Sequence, residues 1–144
     1  MGGQITFNRL GHSYRLRHIK KVRAWLSSVI EFQSFELGEV AIIFCTDDEL
    51  LQLNREALNH DYYTDIITFD HCVGNVLSGD LYISIDRVKE NAQDHKCTFQ
   101  NELLRVMVHG VLHLCGYGDK SANEAKIMRQ QENQWLSVFH VEPT

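Results

Sequence analysis

His109 and His113 stand four residues apart in the stretch HGVLHLCGYGD, and Gly116 and Asp119 follow them. Four residues is about one helical turn, so both imidazoles leave the same helix face. Two ring nitrogens at that spacing can reach one ion. A straight helix cannot wrap around a metal, so a third ligand must come from beyond it. Gly116 can end the helix in a left-handed conformation and swing the chain back. Asp119 is then the expected third ligand. Three protein ligands with one open position describe a catalytic zinc site rather than a structural one. The run from Leu103 to Leu114 is apolar on nearly every face, as in a buried helix. Imidazoles buried there would need partners, and one cation would serve both. The competing explanation is a pair of ordinary, partly buried histidines. Cys115 lies two positions from His113, points away on a helix, and reads as a core thiol.

Such a site could lower the pKa of a bound water or polarise a phosphate oxygen. Zinc peptidases carry a glutamate directly after the first histidine, in HExxH. Gly110 takes that place here. Its presence argues against a peptidase, and the small residue is expected to leave room for a bulky substrate beside the ion.

The elements that must position these groups follow from periodicity. Gln4–Leu10 and Ser13–Arg17 read as extended segments around a turn at Gly11 and His12. From His18 to about Phe35 a helix is expected, with Ile19, Val22, Leu26, Val29 and Ile30 on one face. Val40–Cys45 is a continuous apolar run of the kind found in central strands. Thr46 and Glu49 form a capping box that opens a helix to about Leu58, burying Leu50, Leu53 and Ala57. Ile66–Phe69 is a short strand, Cys72–Ser78 a turn region, and Asp80–Ile85 a half-buried strand. Asp86 is expected to cap a helix to about Lys96, and Thr98 to cap the histidine helix. Ser121 and Glu124 form a second capping box. It opens a last helix to about Phe139, with Met128, Trp135, Leu136 and Phe139 inward, followed by a fraying tail, HVEPT. The order β-α-β-α-β-β-α-α-α describes one α+β domain over residues 1–144: a small mixed four-stranded sheet covered by helices, with a zincin-like metal site on a buried helix.

The bulk composition narrows the classes. The 144 residues have 44% hydrophobic and 23% charged side chains and one proline. No apolar run is long enough to span a membrane. No apolar stretch resembling a signal peptide opens the chain, and the four scattered cysteines read as reduced thiols, so a cytoplasmic protein is expected. MGGQIT fits a loose myristoylation pattern but runs directly into a strand. The net charge of −5 argues against indiscriminate nucleic-acid binding. Yet residues 1–30 hold Arg9, Arg15, Arg17, Lys20, Lys21 and Arg23 and no acid. Such a basic segment is either a phosphate-contact surface or a solvated helix face.

Four stretches together resemble the YbeY family, bacterial rRNA maturation factors described as metal-dependent endoribonucleases. The family motif HGxLHLxGYDH is matched at His109, Gly110, Leu112, His113, Leu114, Gly116 and Tyr117. LNREALNHDYYTDIITF is similar to the family's L-N-x-x-Y-R-x-x-D-x-x-T-[DN]-[VI]-L-S-F through Leu53, Asn54, Asp61, Thr64, Asp65, Ile66 and Phe69. GDLYIS resembles its GDI-x-IS strand, and Leu103–Val108 its apolar lead-in. The resemblance spans roughly residues 40–136. It implies a single-strand-specific endoribonuclease of rRNA processing, at the 3′ end of 16S rRNA, and of ribosome biogenesis and quality control. The implied partners are rRNA and the ribosomal small subunit, the implied cofactor is one zinc or other divalent ion, and a monomer is expected.

Two departures stand out. The family's third histidine ligand is Asp119 here, which adds a negative charge at the ion and should make it a weaker Lewis acid. The family's tyrosine–arginine pair falls on Ala57 and Leu58, and that arginine is thought to contact the RNA phosphate. Asp65 and Asp80, which lie in matched motifs, are the candidate general bases. Turn and strand-end capping is their competing reading. Lys20, Lys21 and Arg23 are the candidate RNA contacts. Two alternatives stay open: a ribosome-assembly binding factor with a mainly structural metal, and a metallohydrolase of peptides or small amides.

Overall fold

A computed structural model describes residues 2–11 and 13–139. Its elements are β1 (Gln4–Arg9), α1 (Ile19–Phe32), β2 (Glu36–Cys45), α2 (Asp47–Leu58), β3 (Ile66–Asp70), β4 (Val76–Ser84), α3 (Ile85–Asp94), α4 (Phe99–Leu114) and α5 (Ala122–Val138). The element order and the mixed sheet agree with the expectation from periodicity. The strands lie in the order β1-β2-β4-β3. β1 and β4 both run parallel to β2, and β3 runs antiparallel to β4. β3 is thus an edge strand.

One face of the sheet packs on α1 and α4 through Val40, Ile42, Phe44, Leu77, Leu81 and Ile83, all nearly fully buried. A smaller cluster of Cys45, Leu50 and Ile67 sits under α2 on the opposite face. The alternation along β2 produces this split: residues 40, 42 and 44 face one way, and residue 45 the other. α4 is the hub, touching α1, α3, α5, β3 and β4. It is closed at its start by the Thr98 hydroxyl, which accepts from the Asn101 amide at 3.0 Å. Both expected capping boxes are present, Thr46 with Glu49 and Ser121 with Glu124.

Several local expectations need correction. Residues 13–16 form no strand and serve as the link from β1 to α1. Ile19 is 40% exposed, and Trp25 takes its place on the buried face of α1. Ala57 is exposed, because α2 turns Leu50, Leu51 and Asn54 inward instead. Asp86 does not cap α3. The Ser84 hydroxyl does, accepting from the Arg87 amide at 3.1 Å, while Asp86 accepts from the Asp47 amide at 2.8 Å. The tail HVEPT and the His12 half of the Gly11–His12 turn lie outside the described residues.

Candidate metal centre

α4 carries His109 and His113 to a cavity beside the β3 edge of the sheet. Gly116 follows with φ of 106°, a value strained for a side-chain-bearing residue. The chain doubles back there and brings Asp119 to the helix. Asp119 Oδ2 lies 3.3 Å from His109 Nε2. On the other side of the ring, His109 Nδ1–H donates to Glu132 Oε2 at 2.7 Å. Glu132 comes from α5, is 4% exposed, and also accepts from Arg105 at 3.0 Å. His113 Nδ1 lies 3.1 Å from the Tyr117 carbonyl. A carbonyl can only accept, so this nitrogen carries the proton and Nε2 is left with its lone pair free to ligate a cation.

The electrostatics follow from these contacts. Burial works against charge on His109, but Glu132, Asp119 and Asp65 outweigh it and hold the imidazole above its ordinary pKa. Burial would raise Glu132, yet its bonds to His109 and Arg105 hold it below the usual carboxylate range. Desolvation pushes Asp65 up, against the pull of His109. Cys115 is pushed up to about 12 by burial, as befits an inert thiol.

The donor set suits a divalent cation. Each ring has its Nδ1 fixed by a hydrogen bond, and a carboxylate buttress behind a ligating histidine is a recurrent support of metal sites. A proton on His109 Nε2 satisfies the Asp119 contact, and a cation would take its place. Among the described residues, however, no three His, Cys, Asp or Glu side chains are grouped so as to hold a metal ion as they stand. His109 and Asp119 meet, while His113 lies along the wall of the same cavity, a space of about 490 Å³.

The other expected residues divide. Asp65 lines this cavity and a second one on the far side of His109. Asp80 lines neither; it pairs with His71 at 3.1 Å on β4. Lys20, Lys21 and Arg23 lie on α1 and line neither cavity. Arg23 donates to the Ile5 carbonyl and lies over the Phe7 ring. Two expectations about α4 need correction. His113 is exposed and His109 only partly covered, because both leave the helix on its open side. Gly110 provides no space beside the histidines. A Cβ there would come 2.7 Å from Ile66 and 3.1 Å from Leu81, since residue 110 is turned toward the sheet.

Sequence reasoning missed Glu132, Lys120 and the ring pair His60 and Tyr62. The signal for Glu132 was present: an acid one turn after Met128, on the inward stripe of α5. Lys120 lines the histidine cavity, where Leu58 also stands. Among the described residues lining that cavity, Lys120 is the one lysine or arginine.

Nitrogen and oxygen donors on a sheet-backed helix make this a candidate site for a divalent cation, set in an α+β domain. Comparison with known proteins gives the particular family. Residues 8–140 match the family model of Endoribonuclease YbeY. An Endoribonuclease YbeY of Flavobacterium psychrophilum is 52% identical over 95% of this chain and 97% of its own. That of Bacteroides thetaiotaomicron is 47% identical over 93% and 98%. The solution structure of TM1509 from Thermotoga maritima superposes with a TM-score of 0.68, at 27% identity over 92% of this chain and 87% of that one. The chain belongs to the YbeY family of metal-dependent endoribonucleases.

Proposed function

We propose that this chain cuts single-stranded RNA in rRNA maturation, at the 3′ end of 16S rRNA on the small ribosomal subunit, with His109, His113 and Asp119 holding one zinc ion. Membership of the endoribonuclease family supports the reaction. The observation that carries the site is the fixed orientation of both imidazoles, His109 by Glu132 and His113 by the Tyr117 carbonyl. When bound, the ion supplies a Lewis acid and a water of lowered pKa.

The chain's own groups supply the rest. Glu132 holds the His109 ring and keeps its Nδ1 protonated. Asp65 lines the cavity as a carboxylate made more basic by burial, and is the proposed acceptor of the attacking water's proton. Lys120 offers the positive charge for the phosphate on a wall where Leu58 offers none. No described helix is long and apolar enough to cross a membrane, which suits a cytoplasmic ribosome factor.

The test joins metal analysis to cleavage. Purified protein should hold about one divalent ion and cut precursor rRNA, and His113→Ala should lose both. Cleavage at the wild-type rate by metal-free His113→Ala would overturn the reading. If cleavage fails while the ion stays, a ribosome-assembly role with a structural metal gains ground.

A further inference from the structure

The loop between α2 and β3, residues 59–65, forms the cavity wall beside the histidines. Two rings stand out from it. His60 and Tyr62 are stacked, with centroids 5.2 Å apart and planes 20° from parallel. The Tyr62 hydroxyl lies 2.9 Å from His60 Nδ1. Both side chains line the cavity that His109, His113 and Lys120 also line. Tyr62 is 55% exposed.

A local explanation is that the rings merely hold the loop together. The loop is already held by other means. Asn54, buried in α2, donates to the Tyr62 carbonyl at 3.0 Å. The His60 amide donates to the Asn54 carbonyl at 3.1 Å. Arg55 pairs with Asp61, and the Tyr63 hydroxyl donates to Asp48 at 3.3 Å. Asn59 caps α2 with φ of 56°. These contacts use backbone and neighbouring side chains, and neither ring of the pair. The rings are therefore presented to the cavity by a fixed loop, not folded down to stabilise it. An aromatic face held rigid beside a phosphate-handling site has lost little entropy to bind a flat partner.

We infer that the His60–Tyr62 stack is a nucleobase subsite, on which an unpaired base flanking the scissile phosphate lies. The inference rests on the RNA-cleaving reading above. Every base has a π face, so stacking tolerates any sequence, while a base inside a duplex is already stacked and unavailable. The subsite thus selects single strands without reading their letters.

Steady-state cleavage by the metal-loaded full chain tests it. The substrates are a short single-stranded RNA and a set in which one nucleotide near the cut bond is abasic. Tyr62→Leu should raise KM roughly ten-fold on the intact RNA with kcat little changed, and Tyr62→Phe should recover most of that loss. At one abasic position the wild-type KM should rise by a similar factor, and Tyr62→Leu should add nothing further there. The subsite is overturned if Tyr62→Leu leaves KM unchanged, or if its effect multiplies with every abasic loss. The abasic series stands by itself if the variant does not fold: no position that raises the wild-type KM would also overturn it. Failure of the wild type to cut the intact RNA would instead reject the cleavage reading, and the subsite with it.

Discussion

Glu132 shows how one residue ties the site to the stability of the fold. Its carboxylate is 4% exposed and bridges His109 and Arg105. A buried charge is tolerable only when paired, and removing one partner strands the others. Glu132→Gln keeps the shape and removes the charge. The Arg105 guanidinium, itself mostly covered, then lacks its counter-ion. The variant should lose about 3 kcal/mol of stability in denaturant unfolding of the metal-free protein. It should also bind metal roughly 10- to 100-fold more weakly by calorimetry, because a neutral amide supports the basicity of the His109 ring less than a carboxylate does. Wild-type values on both counts would show that the carboxylate supports neither. That His109 and Asp119 meet, with His113 on the wall of the same cavity, was readable from spacing and the glycine turn. Glu132 was legible only as an acid on the inward stripe of α5; its role depends on α5 crossing α4, and no local pattern encodes a helix crossing.

At the scale of elements, the question is why α4 can lie so close to the sheet. Gly79 on β4 and Gly110 on α4 answer it. A Cβ on Gly79 would come 2.6 Å from the Phe69 carbonyl and 2.9 Å from Leu114. One on Gly110 would come 2.7 Å from Ile66 and 3.1 Å from Leu81. Each glycine therefore meets the other element, and together they set the height of the histidines above the β3 edge. An exposed helix glycine gains about 1 kcal/mol of stability when changed to alanine. Gly110→Ala should instead destabilise by about 1 kcal/mol, since overpacking outweighs propensity and the Ile66 terminus can give a little. Gly79→Ala should cost more, because the nearest atom is a backbone carbonyl with nowhere to move. Thermal midpoints of the two variants check the order, and a stabilised Gly110→Ala would refute the close-packing account. The sequence marked Gly110 as a missing glutamate. What it could not supply is the direction in which residue 110 points, which follows from the face of α4 that Leu103, Met107 and Leu114 bury.

At the scale of the whole molecule, charge is unevenly placed. Six basic residues occupy the first thirty positions of a chain with net charge −5. The alternation of strand and helix patterns made the element order readable, since the helical runs were long and periodic and the strands between them apolar. The sheet order β1-β2-β4-β3 was not readable, because parallel pairing through α1 and the return of β4 to β2 are long-range choices. That order decides where the basic segment lies. Lys20, Lys21 and Arg23 sit on α1, and none lines the cavities at His109. They can therefore act on RNA only as a remote electrostatic contact along a longer strand. Arg23 is partly committed to the Ile5 carbonyl and the Phe7 ring. Replacing Lys20 and Lys21 by glutamine should lower the salt slope of single-strand RNA binding by about 1.4, at roughly 0.7 per phosphate contact. Adding Arg23→Gln should lower it by less than one further contact. The turnover of bound RNA should not change, because the cavity at His109 keeps all its groups. Binding titrations across a range of salt measure the slope directly. A slope equal to that of the wild type would remove α1 from the RNA path and leave Lys120 as the nearer candidate for phosphate contact.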